Sequence, residues 1–442
     1  MSYFDEGNAR YAEKDYEGAQ ECYRNFLNEE PHNYIAWHNL GIALTQLGRN
    51  EEALEAFNLP CQYNYVESWL SRGVALRNMG KYREALVSFA TTIALDPKHS
   101  TGYSNYGNTL REYGEPHLGS HFMKIALEFE PNNVNFQLNE SVCHLMKGDL
   151  LEGWKNYHAR WYYQSDVSFK PQLPGPEYDG TQDVNGKTVI VYYEQGFGDS
   201  IQFVRFVNVL YERGANIVLV TKGPLLDLFK HNFPYCTVIH ADDPLPNYHY
   251  HVPLMDLPKC FGTTIDTIPF PNPYLTIDEA TQQEVHNALG PKTKPRIGLL
   301  WSPNKAAFIT RFRRIELAQL LSIVSDEFEF YSLAFDPTDE EQQLLNDNNI
   351  KSVPEHLQGF NRTGALLKEM DLVITIDTVT AHLSGALGVP TWVMLSDYGC
   401  DWRWFMDRND SPFYNCMSLY RQKGDGDWNP VLEEIKKRLD TK

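Results

Sequence analysis

Three residues at a strand–helix turn, Asp377, Thr378 and His382, have the types and spacing to bind an anion. They follow Leu372–Ile376, a β-branched apolar run that predicts a buried strand because it is too short for a helix. Asp377 and Thr378 favour the start of a helix that ends at Gly388. The free N–H groups of a helix start suit a phosphate when they lie at the carboxyl end of a parallel sheet. The turn therefore predicts a site for a phosphate-bearing donor.

A second strand–helix turn, Gln195–Asp199, combines two glycines with a carboxylate. Gly196 and Gly198 permit a close approach of the backbone to a ligand in front of the following helix. They do not form the G-x-G-x-x-G pattern of dinucleotide-binding enzymes, so the turn does not favour a dehydrogenase. The residues alone leave two interpretations of Asp199 open: a general base that accepts a proton from an acceptor, and a cap for the helix.

A basic segment follows the predicted strand Ile297–Trp301 and contains Lys305, Arg311, Arg313 and Arg314. Guanidinium groups in such a segment can hold a leaving diphosphate through paired hydrogen bonds, without a metal ion. A solvated basic loop is the alternative that the spacing alone leaves open.

The chain that precedes these turns is repetitive. Three columns of small residues recur within residues 1–165 at spacings of 32 to 34 residues. The columns are Gly7, Gly41, Gly73 and Gly107; Gly48, Gly80, Gly114 and Gly148; and Ala19, Ala53 and Ala85. A helix–turn–helix period of this length resembles the tetratricopeptide repeat. About four repeats predict a curved α solenoid that binds a protein or peptide on its concave face, and bracing of the next domain is the alternative.

The remainder of the chain has an α/β pattern. Residues 166–187 are rich in proline and glycine and predict an irregular linker. From Thr188 onward, short apolar runs alternate with amphipathic segments. We expect two successive Rossmann-like lobes, residues 188–275 and residues 276–442, with a cleft between them.

The composition limits the class of protein. A chain of 442 residues with 42% hydrophobic content predicts a folded protein with two or three domains. The net charge of −19 argues against a broad surface for nucleic acid. Seven cysteines without a C-x-x-C pair do not favour a disulfide framework or a zinc site. No apolar run reaches the length of a membrane span and no signal-peptide pattern begins the sequence, so we expect a cytoplasmic protein.

Six motifs together carry a resemblance to a known family. They are Gly153-Trp154 through Trp161, Glu194-Gln-Gly-Phe-Gly-Asp199, Trp301-Ser302, Arg311-Phe-Arg313-Arg314-Ile315, Asp377-Thr378-x-x-x-His382 and Asp401-Trp-Arg-Trp404. The chain resembles bacterial and phage tetratricopeptide proteins that end in a heptosyltransferase-like glycosyltransferase domain of the GT-B type. That group is also distantly similar to the O-linked N-acetylglucosamine transferases. The motifs extend over nearly the whole chain.

The resemblance implies roles for individual residues. It implies that Asp199 is the general base of an inverting sugar transfer, and that Arg313 contacts phosphate. It also implies that Asp377, Thr378 and His382 form the turn that binds a nucleotide sugar. The other residues that we assign to nucleotide-sugar binding are Gln195, Gly196, Gly198, Ser302, Lys305 and Arg311.

Two positions depart from the family pattern. Val379 stands where the family often has a small residue, and its β-branched side chain narrows the approach of a phosphate. Asp256 stands where a serine is usual. His249 and His251 lie near Asp256 in the sequence and suggest a metal site, but the resemblance implies a metal-independent reaction and no DxD pair is evident. We therefore expect no metal, and no cofactor other than the donor substrate.

Two hypotheses from different classes follow. The first is an inverting, metal-independent glycosyltransferase that moves a sugar from a nucleotide sugar to a protein, glycan or modified nucleobase. Its donor is expected on the C-terminal lobe and its acceptor on the N-terminal lobe. The alternative is a tetratricopeptide interaction scaffold with an inactive glycosyltransferase domain. A DNA acceptor stays open, although the net negative charge does not favour it.

Overall fold

The structure, a computed structural model, describes five segments of the chain. These are residues 2–162, 170–271, 273–303, 313–423 and 426–441. Contacts within the chain define two compact units, Met1–Lys147 and Gly148–Lys442. In its described residues the first unit contains helices alone, whereas the second combines helices with two sheets.

Nine helices make up the described part of the first unit. They are α1 Tyr3–Ala12, α2 Tyr16–Glu29, α3 Tyr34–Gln46, α4 Asn50–Gln62, α5 Val66–Asn78, α6 Tyr82–Leu95, α7 Ser100–Glu112, α8 Pro116–Phe129 and α9 Val134–Met146. Consecutive helices pack against each other along the whole unit. The helix–turn–helix repeat that the sequence predicts is confirmed.

Small residues lie where the two helices of a repeat cross. A Cβ atom on Gly41 would lie 2.5 Å from a ring atom of Phe57, and one on Gly73 would lie 2.5 Å from Phe89. Both phenylalanines are fully buried. The glycine column therefore reflects helix packing, because a larger residue would collide with the aromatic core of its repeat.

The second unit contains two mostly parallel sheets. In the described residues their strands are β1 Thr188–Tyr192, β2 Asn216–Thr221, β3 Thr237–His240, β4 Tyr250–Pro253, β5 Arg296–Leu300, β6 Glu329–Ser332, β7 Lys351–Ser352, β8 Leu372–Ile376, β9 Thr391–Leu395, β10 Asp410–Ser411 and β11 Tyr414–Arg421. The first sheet has the order β3-β2-β1-β4, and the second has the order β10-β11-β9-β8-β5-β6-β7. All described pairings are parallel except that of β10 with β11. The α/β character predicted for this region is confirmed.

Helices connect these strands. They are α10 Leu150–Tyr157, α11 Phe197–Phe203, α12 Arg205–Glu212, α13 Gly223–Asn232, α14 Leu257–Cys260, α15 Glu279–Leu289, α16 Leu317–Leu320, α17 Asp339–Asp347, α18 Phe360–Lys368, α19 Val379–Ala386 and α20 Asn429–Leu439. The predicted helix after Gly198 is interrupted at Val204, so α11 and α12 are separate. Along the described segments, no helix is long and apolar enough to cross a lipid bilayer.

Helix α10 belongs to the second unit, although its sequence continues the repeat pattern. The indole N–H of Trp154, on α10, donates to the carbonyl of Thr263 at 3.1 Å. The same ring meets Trp402 edge to face, with 5.4 Å between ring centres. The compact boundary therefore falls after Lys147, whereas the repeat pattern in the sequence extends to residue 165. The compact boundary and the end of the repeat pattern differ because α10 keeps the helical period while its aromatic side chains pack within the second unit.

His38 should make the first unit sensitive to acid. Its Nδ1 atom lies 2.7 Å from the Ser68 hydroxyl, and burial lowers the pKa of His38 from about 6.5 to about 4. Between these values the unfolded chain binds a proton that the folded chain does not. The free energy of unfolding should therefore fall by roughly 1.4 kcal/mol for each pH unit below about 6.5, until pH 4 is reached.

Hydrogen exchange of the α3 and α5 amides, corrected for the intrinsic exchange rate, measures this loss. The His38→Gln variant has no titrating ring at this position and should lack the dependence. The same pH dependence in both proteins would contradict the role of His38.

Candidate functional site

The two predicted site turns lie where the strand order of each sheet reverses. In the first sheet, β2 lies on one side of β1 and β4 on the other; in the second, β6 lies on one side of β5 and β8 on the other. Open α/β sheets usually bind ligands outside the carboxyl ends of strands at such reversals. The Gln195–Asp199 turn follows β1, and the turn of Asp377 and Thr378 follows β8. Both turns therefore stand at the expected position for a ligand.

The two turns are also in contact with each other. A Cβ atom on Gly198, in the first turn of α11, would lie 2.8 Å from the ring of His382 on α19. The close approach predicted for this glycine is thus made to another part of the protein. Because any other residue at position 198 would push the imidazole away, Gly198 brings the starts of α11 and α19 together.

Five side chains of alternating charge link the two turns, and we refer to them as the charge chain. Asp377 Oδ2 lies 2.9 Å from Arg313 Nη1, and Arg313 Nη2 lies 4.0 Å from Asp401 Oδ2. Asp401 Oδ1 lies 2.8 Å from Arg403 Nη1. The second amino group of Arg403 contacts the Oδ1 atom of Asp199. The charge chain therefore runs from the turn after β8 to the turn after β1.

Burial and pairing act in opposite directions on the carboxylates of the charge chain. Burial raises the pKa of Asp377, and the attraction of Arg313 does not reverse that shift. Burial also acts to raise the pKa of Asp401, but Arg403 and Arg313 together lower it to about 2. Of these two carboxylates, Asp401 stays ionised and Asp377 binds a proton more readily.

Both carboxylate oxygens of Asp199 have partners. Oδ2 accepts a hydrogen bond from the Gly196 N–H at 2.8 Å, which caps α11, and Oδ1 contacts the Arg403 guanidinium. The capping interpretation that the sequence leaves open is therefore observed. The Arg403 contact opposes action as a general base, because the guanidinium charge stabilises the ionised carboxylate.

His382 lies in a buried position behind the start of α19. Its ring stacks on Trp404 with 5.3 Å between centres, and its Nδ1 atom lies 2.9 Å from the Tyr414 hydroxyl. Burial, reinforced by the positive charge of Arg403, lowers the pKa of His382 to about 3, so the imidazole is neutral. His382 is not among the described residues that line the cavity beside α19. Direct contact with a nucleotide sugar, which the resemblance implies for His382, stays a prediction.

A cavity of about 180 Å³ lies at the carboxyl ends of β5 and β6, beside the start of α19. We call it the second-sheet cavity. Its lining includes Ser302 and Thr378, both predicted to bind the donor, together with Arg314, Phe335 and Val379. The Thr378 hydroxyl has no hydrogen-bond partner in the described part of the chain, and the Phe335 side chain is 60% exposed. The cavity therefore offers a cation and an aromatic face to a ligand, while the Thr378 hydroxyl itself is buried beside it.

A larger cavity of about 340 Å³ lies beside β1 and β2, and we call it the first-sheet cavity. Gln195, Tyr193 and Lys222 line it. Gln195 has a φ of 54°, in the left-handed region, and its carbonyl accepts a hydrogen bond from the Lys222 ammonium at 3.2 Å. The ammonium group also lies 5.0 Å from the centre of the Tyr193 ring. Gln195 therefore lies with the first sheet, apart from the predicted donor residues of the second sheet, Ser302 and Thr378.

The predicted site residues occupy several neighbouring places. The charge chain contains Asp199, Arg313 and Asp377, and the start of α11 contains Gly196 and Gly198. The second-sheet cavity is lined by Ser302 and Thr378, and the first-sheet cavity by Gln195. His382 lies in the buried contact behind α19. Lys305 and Arg311 lie outside the described residues. No group of three or more His, Cys, Asp or Glu side chains that could hold a metal ion occurs in the described segments.

Sequence analysis missed a buried network around Arg160. The Arg160 guanidinium donates to both oxygens of Glu194 at 2.6 Å and to Asp256 at 2.7 Å. Asp256 also lies 2.6 Å from His158. Glu194 immediately precedes the Gln195–Asp199 turn, so this network fixes the turn against the segment that follows α10. It also explains why a carboxylate replaces the usual serine at position 256.

Arg403 was likewise not predicted as a site residue. It lies within the quoted motif Asp401-Trp-Arg-Trp404, and the Asp-x-Arg spacing was the available signal for a local ion pair. Its second partner, Asp199, lies 204 positions earlier in the chain. No local pattern could have identified that pair.

Comparison with known families shows that the N-terminal region consists of tetratricopeptide repeats. Residues 4–59 match one tetratricopeptide repeat family, and residues 66–99 match another. These matches agree with the helices α1–α6 and with the glycine packing of the first unit.

Comparison with individual proteins extends beyond this region. The chain is 23% identical to Protein FlbA of Caulobacter vibrioides over 450 residues, which cover 94% of this chain and 74% of FlbA. It is 26% identical to tetratricopeptide repeat protein 6 of Homo sapiens over 119 residues, which cover 27% of this chain and 23% of that protein. The similarity to FlbA therefore extends over both compact units.

Solved structures resemble part of the chain. A MamA protein covers 38% of this chain and 96% of its own length, with 18% identity and a TM-score of 0.31. A thermophilic tetratricopeptide protein of Thermus thermophilus covers 37% of this chain and 90% of its own length, with 20% identity and a TM-score of 0.33.

Replacing Asp256 with serine should destabilise the second unit by about 3 kcal/mol, because Arg160 then keeps only one of its two buried carboxylate partners. Burial acts to raise the pKa of Asp256, but Arg160 and His158 lower it to about 2, below its ordinary value of 3.8. The stabilising contribution is therefore complete above about pH 4 and is lost as the pH falls toward 2.

Urea unfolding at pH 7 and at pH 3 measures both effects. Substitution of the exposed Asp266 by serine is the matched control and should change stability by less than about 0.5 kcal/mol. An Asp256→Ser variant as stable as the control would show that the network is not stabilising.

Proposed function

We propose that this chain is an inverting, metal-independent glycosyltransferase of the GT-B type, preceded by a tetratricopeptide arm. One observation carries the proposal: the turn after β1 and the turn after β8 meet at the strand-order reversals of the two sheets, joined by the charge chain. The resemblance of six motifs to heptosyltransferase-like proteins supports it, since those motifs supply these two turns and their cations.

The second-sheet cavity has the chemistry for the donor. The N–H groups at the start of α19, which follows Thr378, suit a diphosphate. Arg313 and Arg314 supply positive charge beside it. The exposed ring of Phe335 offers a face on which a nucleobase can stack. A nucleotide sugar combines these features in one molecule.

The proposed reaction is a single displacement at the anomeric carbon. The acceptor oxygen or nitrogen forms a bond to this carbon as the bond to the diphosphate oxygen breaks, and the configuration inverts. The acceptor proton moves to Asp199, and the nucleoside diphosphate leaves with its charge held by Arg313. The acceptor would approach from the first sheet, on which Asp199 and the first-sheet cavity lie.

The tetratricopeptide arm favours a protein or peptide as the binding partner of this chain. Stacked repeats form an extended concave surface that such proteins use for binding. A protein acceptor presented by the repeats is therefore the acceptor class that we favour, whereas the net charge of −19 does not favour DNA.

A scaffold with an inactive second unit is the second candidate. It is favoured by the state of Asp199, whose two oxygens are engaged by Gly196 and Arg403. The turnover of the native protein distinguishes the two candidates directly.

Arg313→Ala should weaken nucleotide-sugar binding by roughly 1.5–3 kcal/mol, because a charge-assisted hydrogen bond to the diphosphate is lost. Calorimetry against a panel of nucleotide sugars measures the change, and the native affinity should be the same with and without EDTA. Arg362→Ala removes a half-buried arginine on α18 that pairs with Glu284, and should leave the affinity unchanged. A strict requirement for a divalent ion would refute the metal-independent mechanism.

Asp199→Asn should separate binding from turnover. The amide keeps a carbonyl oxygen for the Gly196 N–H but cannot act as a base. We expect donor affinity within about threefold of the native value and turnover lowered by roughly 10²–10⁴. Sugar transfer, or slow donor hydrolysis, is measured beside donor binding on one preparation. Asp227→Asn, on the exposed side of α13, is the control; native turnover in Asp199→Asn would exclude a catalytic role.

A further inference from the structure

We propose that Arg403 is a positioning residue that restrains Asp199 until a diphosphate group occupies the start of α19. The inference rests on the proposed function and adds the order in which donor and acceptor bind. The donor binds first, and only then does Asp199 become free to accept the proton of an acceptor.

The geometry of Arg403 carries the first step. One amino group lies 2.8 Å from Asp401 and the other contacts Asp199, while the guanidinium plane lies 4.3 Å from the centre of the Trp402 ring. The Nε atom has no hydrogen-bond partner in the described part of the chain. The side chain is buried, so its charge must always be balanced by one or both carboxylates. Arg403 can therefore release Asp199 only if Asp401 takes over its charge.

The groups around Asp199 determine how readily it accepts a proton after the Arg403 contact is lost. Tyr157 of α10, His382 of α19, and Asp401 and Arg403 after β9 face this part of α11. His382 is neutral because burial lowers its pKa to about 3. Arg403 is thus the positive group in contact with Asp199, and Asp401 is the negative group nearby. The Lys222 ammonium is a further positive group, at the start of the turn, 3.2 Å from the Gln195 carbonyl. An Asp199 that loses Arg403 is left near a carboxylate, which makes proton uptake more favourable.

A diphosphate bound at the start of α19 would cause Arg403 to release Asp199. The charge chain contains three carboxylates and two guanidinium groups, so each arginine is shared between two carboxylates. A diphosphate that takes Arg313 leaves Asp401 with Arg403 as its remaining cation. Asp401 then attracts both amino groups of Arg403, since a bidentate pair is stronger than a shared one. Donor binding is thereby coupled to Asp199 through two ion pairs.

Proton-linked calorimetry tests this coupling without turnover. ADP, GDP, UDP and CDP are each titrated into the full chain at pH 5, and the tightest is studied in buffers of different ionisation enthalpy. Binding to the native protein should take up more protons than binding to Asp199→Asn, by a difference larger than the error of the buffer series. The protons of the nucleotide itself cancel in this comparison, because the ligand and the pH are the same.

Variants of Arg403 separate positioning from a merely structural role. Arg403→Lys retains a charge and should retain a measurable part of the extra proton uptake. Arg403→Gln leaves Asp199 free before the diphosphate arrives, so its proton uptake should fall to the level of Asp199→Asn. Nucleotide affinity should fall as well, because Asp401 keeps no cation once the diphosphate takes Arg313. If the glutamine variant does not fold, the native protein, Asp199→Asn and Arg403→Lys still decide the outcome.

The outcomes distinguish this inference from the proposed function. Failure of all four nucleotides to bind the native protein would overturn the proposed function, and this inference with it. Binding with equal proton uptake in the native protein and Asp199→Asn would overturn the inference alone. In that case the proton goes to another carboxylate or to none, and the raised pKa of Asp377 makes it the first alternative.

Discussion

The structure of the second unit depends on the pairing of buried charges along the charge chain. Removing one ionised side chain from water costs several kcal/mol unless an opposite charge and hydrogen bonds replace the water. Asp199, Arg313, Asp377, Asp401 and Arg403 meet this requirement only in alternating order. They come from turns of both sheets, so the pairing also requires the two sheets to be held together.

A second set of buried contacts lies beside the charge chain. Arg205, fully buried on α12, donates to the carbonyl of Phe413 at 2.7 Å and to the Tyr274 hydroxyl at 2.9 Å. Its guanidinium lies 4.8 Å from the centre of the Tyr414 ring, and Tyr414 in turn contacts His382. Carbonyl oxygens and aromatic faces thus balance this cation. Together with the packing of Gly198 on His382, these contacts fix α12 and α19 relative to each other.

The departures from the family pattern have different physical meanings. Asp256 replaces a serine and gains two partners, Arg160 and His158, so the change adds a buried ion pair with Arg160 beside the turn after β1. Val379 lines the second-sheet cavity at the start of α19, where its branched side chain reduces the space for a phosphate. The first change strengthens the support of the proposed base, and the second restricts the proposed donor site. The first change affects the position of the turn after β1, and the second affects the shape of the second-sheet cavity. Neither removes a group that the proposed reaction requires.

Local pattern in the sequence determined the helical repeats and the strand–turn–helix units. Periodic glycines such as Gly41 reflect contacts between neighbouring helices, and the apolar run of β8 followed by Asp377 reflects one strand and one helix start. The sequence therefore predicted the two turns that the structure brings into contact. It did not predict the end of the repeat region, because α10 keeps the helical period while Trp154 packs against Trp402. Nor did it predict the partner of Asp199, since only the tertiary structure brings this half-buried carboxylate to the buried Arg403, 204 positions later in the chain.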